Sequence, residues 1–334
     1  MDIINKKNTI FNLAKLSQYR TQLMGIAAIM IVLCHTAQYG VKMPGLLRKF
    51  VIYGNLGVDI FLLLSGIGCY YSLSKNTNLR NWYKKRFHRI FIPYLLIQFP
   101  FWVYYYVNGE FHVLKELYIF STIAFWTDHV GAWYVALLIP LYIITPFIYK
   151  FSNNKFIMYI IIGIVLVACS IDIKVSNEII EKIIVNFQWA FSRIPSFIIG
   201  IIIAPFVRKE YSISLINVIF LFSFSLLLFV FIHYFISDRV FMFWCLTLPI
   251  TILISILIDC LYNYPFIYKF ITWMGVISLE SYLANIYLCK LFKKFYYSLE
   301  QNGLFYGHYI EYIFIGIIGI LLASLINKLS QKFI

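Results

Sequence analysis

Arg20-Thr-Gln-Leu-Met-Gly-Ile-Ala-Ala-Ile-Met-Ile-Val-Leu-Cys-His35 is an apolar run that starts beside a cation and carries one imidazole near its far end. It reads as a membrane helix. An ionisable side chain at membrane depth is costly and faces the protein interior or a wet cavity, which makes His35 the first candidate for a reactive group. The alternative is a histidine that ties helices together through a hydrogen bond.

The rest of the chain extends this reading. Its 334 residues are 62% hydrophobic, with a mean hydropathy of +0.81 and 13% charged residues, against about 25% charged in soluble domains. The expected fold is an all-α polytopic membrane protein. Apolar segments of roughly 17–25 residues, enough to cross about 30 Å of hydrocarbon, occur at 21–39, 54–73, 90–108, 132–149, 156–172, 186–207, 213–236, 240–260, 267–289 and 308–327. About ten transmembrane helices in one bundle follow, with 21–334 as the membrane domain behind a cytoplasmic segment, 1–20. That segment lacks the short basic region, apolar core and small-residue cleavage site of a secretory signal, so the first helix is expected to be retained.

The net charge of +14 is not a nucleic-acid footprint, because the cations alternate with long apolar segments instead of forming one stripe. Their placement reports topology. With the N-terminus inside, the cytoplasmic loops carry the excess of Lys and Arg, most of all at Lys75, Arg80, Lys84, Lys85, Arg86 and Arg89. This predicts cytoplasmic ends, an even number of crossings and a place in the cell membrane. The six cysteines include no C-x-x-C pair, which argues against a disulfide framework or a metal site. The stretch 109–131 is too polar for a span and reads as an external or re-entrant loop able to cap a substrate entrance.

Further segments, taken with the first helix, carry a resemblance. They are Gly57-Val-Asp-Ile-Phe-Leu-Leu-Leu-Ser-Gly66, Tyr83-Lys-Lys-Arg-Phe-His-Arg-Ile-Phe-Ile-Pro93, Ala132-Trp-Tyr134 with Pro140 to Pro146 after it, Arg193-Ile-Pro-Ser-Phe-Ile-Ile-Gly200, and Ile277-Ser-Leu-Glu-Ser-Tyr-Leu283. In this order the chain resembles the acyltransferase 3 family, integral membrane enzymes that O-acylate surface carbohydrates. One position departs: the family usually has an arginine eleven residues before the histidine, and this chain has Met24.

The resemblance implies an O-acetyltransferase moving acetyl from cytoplasmic acetyl-CoA to a hydroxyl of a surface glycan or lipid-linked sugar, without a metal. His35 is then the general base. Arg86 and Arg89, spaced i, i+3 on one helix face, resemble the family's paired arginines and are expected to grip the donor phosphates; without the resemblance they are a positive-inside signal. Position 24 and His35 share a face about 16 Å apart at 1.5 Å per residue, and Arg20, one turn lower, is the cation nearest to the missing arginine. It takes part of that role or only anchors the helix end. Asp59 and Glu280 orient His35 or a cation, or form structural ion pairs. Arg193, Trp133 and Tyr134 are the acceptor-side candidates, the two aromatics stacking on a sugar or lying at the interface. Ser65, beside Gly66, reads as a packing serine. A small-molecule exporter and a non-catalytic partner in polysaccharide synthesis are the other readings. With no esterase-like domain expected after 334, final transfer is expected at the membrane portion or with a partner protein.

Overall fold

The computed structural model describes residues 10–38, 44–75, 78–171, 173, 175–235, 243–301 and 308–333, without the side chains of 36, 290, 292–301 and 308–314. Lys6, Lys7, Lys42, Lys174 and Arg239, which enter the loop-charge reading, lie outside the described residues, as do the side chains of Lys290, Lys293 and Lys294.

Two three-residue strands, β1 (Ile10–Asn12) and β2 (Ser212–Ser214), pair antiparallel with Phe11 opposite Ile213. The remainder is helical. It begins with α1 (Lys15–Gln18), α2 (Arg20–Gln38), α3 (Gly45–Ile52), α4 (Leu56–Lys75) and α5 (Leu79–Val107). Two short helices, α6 (Val113–Phe120) and α7 (Ile123–Asp128), precede α8 (Trp133–Lys150), α9 (Lys155–Ser170), α10 (Glu178–Phe191) and α11 (Ile194–Arg208). Last come α12 (Leu215–Phe235), α13 (Phe243–Leu261), α14 (Pro265–Val276), α15 (Ser278–Gln301) and α16 (His308–Ser330).

Among the described residues, six helical segments are long and apolar enough to cross a membrane: Gly45–Lys75, Leu79–Val107, Trp133–Lys150, Glu178–Arg208, Leu215–Phe235 and Phe243–Leu261. Arg20–His35, Lys155–Ser170 and Ile315–Ser330 are apolar but shorter. Two expected spans are divided. Within 186–207, α10 stops at Phe191 and Pro195 falls in the first turn of α11, where its missing N–H costs nothing. The stretch 267–289 breaks at Ile277 into α14 and α15.

Burial follows membrane logic. The α4 helix is buried continuously from Leu56 to Ile67, which makes it the bundle's axis. By contrast α12 buries Val218, Ser225 and Ile232 while Ile216, Phe220, Leu227 and Phe235 remain exposed; an apolar outward face suits lipid, not water. Small residues bring the axis helix onto α11: a Cβ added at Gly66 would lie 2.2 Å from the Phe197 carbonyl oxygen, and one at Gly200 would lie 2.1 Å from that of Leu63. Backbones approach this closely only where both sides lack a Cβ.

The bundle has two chemically different ends. At the first, Lys15 and Tyr19 both bond to Asp259, and Arg208 Nη1 donates to Ser74 Oγ at 3.3 Å. Burial, then the Asp259 carboxylate, pushes the Tyr19 phenol well above its ordinary pKa. At the second end α6 and α7 fold the polar stretch 109–131 against the helices. Tyr94 donates to the Ile119 carbonyl at 3.2 Å, and Asn186 spans His129 Nδ1 at 2.8 Å and the Trp126 carbonyl at 3.1 Å. Tyr118 donates to Asp128, which holds that carboxyl below the usual carboxylate range.

Candidate functional site

Three arginines meet where α2, α4 and α5 come together near the first end. Asn78 caps α5, accepting from the Asn81 N–H at 3.1 Å, and so starts the helix that presents Arg86 and Arg89 one turn apart. Arg86 Nη2 donates to the Gly68 carbonyl at 2.9 Å and to Ser72 Oγ at 2.7 Å. Ser72 also accepts from Trp82 Nε1 at 2.8 Å, and the guanidinium lies 5.6 Å from the Trp82 ring centroid and 5.7 Å from that of Tyr142. Arg20 occupies the other side of the same glycine: a Cβ at Gly68 would fall 3.2 Å from its Nη2. Two guanidiniums therefore share one residue of α4.

A narrow cavity of about 100 Å³ opens from this cluster, smaller than the roughly 150 Å³ pocket that holds one benzene. Arg20, Met24, Phe61, Ser65, Arg86, Arg89, Ile90, Tyr134, Leu138, Tyr142, Gly275, Leu279 and Tyr282 line it. Arg89 is exposed, whereas Arg20 and Arg86 are partly buried. The lining thus carries three cations and no acid. Arg20 Nε is in addition buried with no hydrogen-bond partner among the described residues. Like charges brought together in a poorly solvated site, with an unspent donor, fit an anion as the completing group. A cavity of this size admits only a slender group.

His35 lies farther along α2, fifteen residues from Arg20 and so roughly 22 Å away along the helix. It is 8% exposed, within protein. Its Nδ1 bonds to Asn285 Oδ1; an amide oxygen only accepts, so Nδ1 is the donor of this pair. Tyr282, one turn before Asn285, has its ring centroid 6.4 Å from that of His35 and also lines the cavity. The α14–α15 pair climbs beside α2: Gln22 Nε2 donates to Tyr268 Oη at 3.0 Å and to Thr272 Oγ1 at 3.1 Å, and His35 meets Asn285. Tyr282 accordingly separates the arginine cavity from the histidine.

The two acids lie elsewhere. Asp59 forms an ion pair with Arg193 in which both side chains are fully buried, and Ser196 Oγ donates to its second oxygen at 2.8 Å. Arg193 also donates to the Asn55 carbonyl at 3.3 Å and lies 5.2, 5.5 and 5.8 Å from the rings of Trp133, Trp189 and Phe243. Asp59 thus orients a cation. Trp133 turns a face to that cation, while Tyr134 lines the cavity. Glu280 accepts from Asn327 Nδ2 at 2.9 Å, within electrostatic reach of Arg89. Arg20, Arg86, Arg89 and Tyr134 come together in one cavity with His35 beyond it, whereas Asp59, Arg193 and Trp133 form a separate cluster. Sequence reasoning overlooked Asn285, Tyr142 and the pivot at Gly68, and it quoted Tyr282 without a role.

No curated protein and no solved structure matches the chain. The family model of an acyltransferase domain matches residues 22–328, which takes in every residue of the cavity except Arg20 at its edge. A match over nearly the whole chain means that the chain belongs to the acyltransferase 3 family of membrane acyltransferases.

Proposed function

We propose that this protein transfers acetyl from cytoplasmic acetyl-CoA to a hydroxyl of a cell-surface polysaccharide, such as a capsule, exopolysaccharide, lipopolysaccharide or peptidoglycan-type glycan. The observation that carries this reading is the acid-free, three-arginine cavity, with Tyr282 of its lining beside the buried His35. The topology it requires is ten crossings, both ends cytoplasmic, with the arginines facing the cytoplasm and the histidine end facing out; the excess of Lys and Arg around Arg86 supports that orientation.

Each group then has a task. Arg89 at the mouth and Arg86 and Arg20 within it hold the donor's phosphates, Arg20 standing in for the arginine that Met24 replaces. Cations here also raise the local concentration of an anionic donor. Phe61, Met24, Leu138 and Leu279 give the thioester arm an apolar, water-poor channel. His35, its tautomer fixed by Asn285, accepts the proton of the acceptor hydroxyl through Nε2. The helices α6 and α7 close the far end, where a glycan must approach, and membrane lipids surround the rest.

Purified protein incubated with acetyl-CoA is expected to release free thiol and, with the surface glycan present, to form an ester seen as O-acetyl signals by NMR. Replacing His35 by Ala removes a general base and should lower the rate by about 10²–10⁴-fold. Transfer that survives the substitution, or substrate counterflow without any thiol release, overturns the reading.

A further inference from the structure

We propose that the end of the bundle closed by α6 and α7 carries an acceptor-binding site, formed by His129 and Trp133 on either side of Trp189, whose ligand is a pyranose ring of the carbohydrate. The choice of ligand rests on the acetyl-transfer reading above, to which this site adds the groups that hold the acceptor.

Three elements assemble it. The left-handed backbone of His129, with φ 57°, stops α7, and Gly131, with φ 102°, turns the chain into α8, whose first residue is Trp133. Asn177 caps α10, accepting from the N–H groups of Ile179 and Ile180 at 3.0 and 3.2 Å, and that helix brings Trp189 between the other two rings. Its ring centroid lies 5.1 Å from that of His129 and 4.3 Å from that of Trp133, edge-on in both cases. His129 is exposed and both tryptophans are partly exposed, so a ligand meets all three from outside.

Beneath them Asn186 is 4% exposed. Its Oδ1 accepts from His129 Nδ1 at 2.8 Å, and its Nδ2 donates to the Trp126 carbonyl at 3.1 Å. The carbonyl fixes which end of the amide is oxygen, and an amide oxygen only accepts, so Nδ1 carries a hydrogen and the imidazole is held in place. No hydrogen bond among the described residues engages Nε2 of this exposed ring.

That combination fits a sugar. Aromatic rings take the flat C–H face of a pyranose, and one anchored polar edge meets a hydroxyl, which is how small-molecule sites divide the work. Two plainer roles leave part of the cluster unexplained. Arg193 lies 5.2 Å from the Trp133 ring and 5.5 Å from that of Trp189, which accounts for one side of the indoles and not for an anchored, exposed imidazole. Aromatics of an interfacial belt stand out like Tyr106 and Tyr234, which are 74% and 75% exposed, and a belt needs no histidine–asparagine pair to orient it. The site also adjoins the reacting end. Ring contacts run from Trp133 to Tyr134 at 6.1 Å, from Tyr134 to Tyr282 at 5.6 Å and from Tyr282 to His35 at 6.4 Å, so three ring contacts link a saccharide held here to the base.

The test uses full-length protein in lipid nanodiscs and oligosaccharides cut from the de-O-acetylated surface glycan, comparing wild type with His129→Ala and His129→Gln. Binding is read by saturation-transfer NMR, and turnover by thiol release and ester formation. In His129→Ala the Kd and KM for the oligosaccharide should rise roughly 3- to 10-fold, the worth of one hydrogen bond, with saturation transfer to the sugar ring protons reduced. KM for acetyl-CoA and the thermal midpoint should stay at wild-type values, and His129→Gln, which retains a polar end, should recover part of the affinity. An oligosaccharide that does not bind wild type, or that binds His129→Ala equally well, overturns the proposal. So does an affinity loss matched by a fall in thermal midpoint or by an equal rise in KM for acetyl-CoA, since either marks a structural role. Saccharide binding that follows the expected pattern in a protein releasing no thiol supports the site and defeats the transfer reading; ester formation with no dependence on His129 does the opposite.

Discussion

Arg193 and Arg86 are both held against tryptophan rings inside one helix bundle, yet their charges are answered differently. Arg193 meets the Asp59 carboxylate in full burial and lies against the rings of Trp133, Trp189 and Phe243. Arg86 is given a carbonyl and a hydroxyl, with two further arginines near and no acid in the lining. A cation matched by an internal acid is locked and adds no net charge to bind a ligand. One solvated by neutral dipoles keeps its charge available, so the first arrangement builds the scaffold and the second waits for an anion.

The largest expected effect comes from breaking the closed pair. Asp59→Ala leaves Arg193 charged and buried, which costs about 3–5 kcal/mol. Purified variant protein should show a markedly lower thermal midpoint or fail to accumulate. Joint replacement, Asp59→Leu with Arg193→Met, removes the charge from both sides and should recover much of that loss, because a well-packed apolar substitute for a buried ion pair is often neutral. A single variant as stable as wild type would mean the two arginines do not differ in the way described.

Removing Arg86 should do the reverse, sparing the fold and weakening the donor. Arg86→Ala gives up charge-assisted hydrogen bonds worth about 1.5–3 kcal/mol, so the Kd for acetyl-CoA measured by calorimetry should rise roughly 10- to 150-fold. Added salt should weaken wild-type binding more than that of the variant, since screening acts on the charge that was deleted. Binding that is insensitive to both removes the mouth from the mechanism.

Much of this division was readable before any coordinates, though unevenly. Hydropathy located apolar helical stretches because each must bury or lipidate an apolar surface over a fixed thickness, but it read 186–207 and 267–289 as single spans that the chain divides. The i, i+3 spacing placed Arg86 and Arg89 on one face because helix geometry is local. The choice that Asp59 makes was not legible: Arg193 is 134 residues away, and nothing local tells an acid whether a histidine or a guanidinium will stand opposite. The pairing of His35 with Asn285 spans 250 residues, and one asparagine in an apolar span carries no signal of its partner. Arg20 could be proposed from its face on α2, yet sharing Gly68 with Arg86 depends on how α4 packs.

Gly68 offers the finest probe of the contrast, because Gly66 lies two residues away on the same helix and faces rigid backbone. An alanine at Gly66 would press its Cβ to 2.2 Å from a main-chain oxygen of α11, so α4 and α11 must separate and stability must fall. An alanine at Gly68 meets only the tip of Arg20 at 3.2 Å, and a guanidinium on a flexible stem gives way. Helix formation then favours the alanine by roughly 0.5–1 kcal/mol, so Gly68→Ala should unfold no earlier than wild type while its KM for acetyl-CoA rises a few-fold as Arg20 is displaced. A stability loss at position 68 equal to that at 66 would show that the arginine cluster is packed as tightly as the scaffold, and a cluster packed in that way has no room to receive a donor.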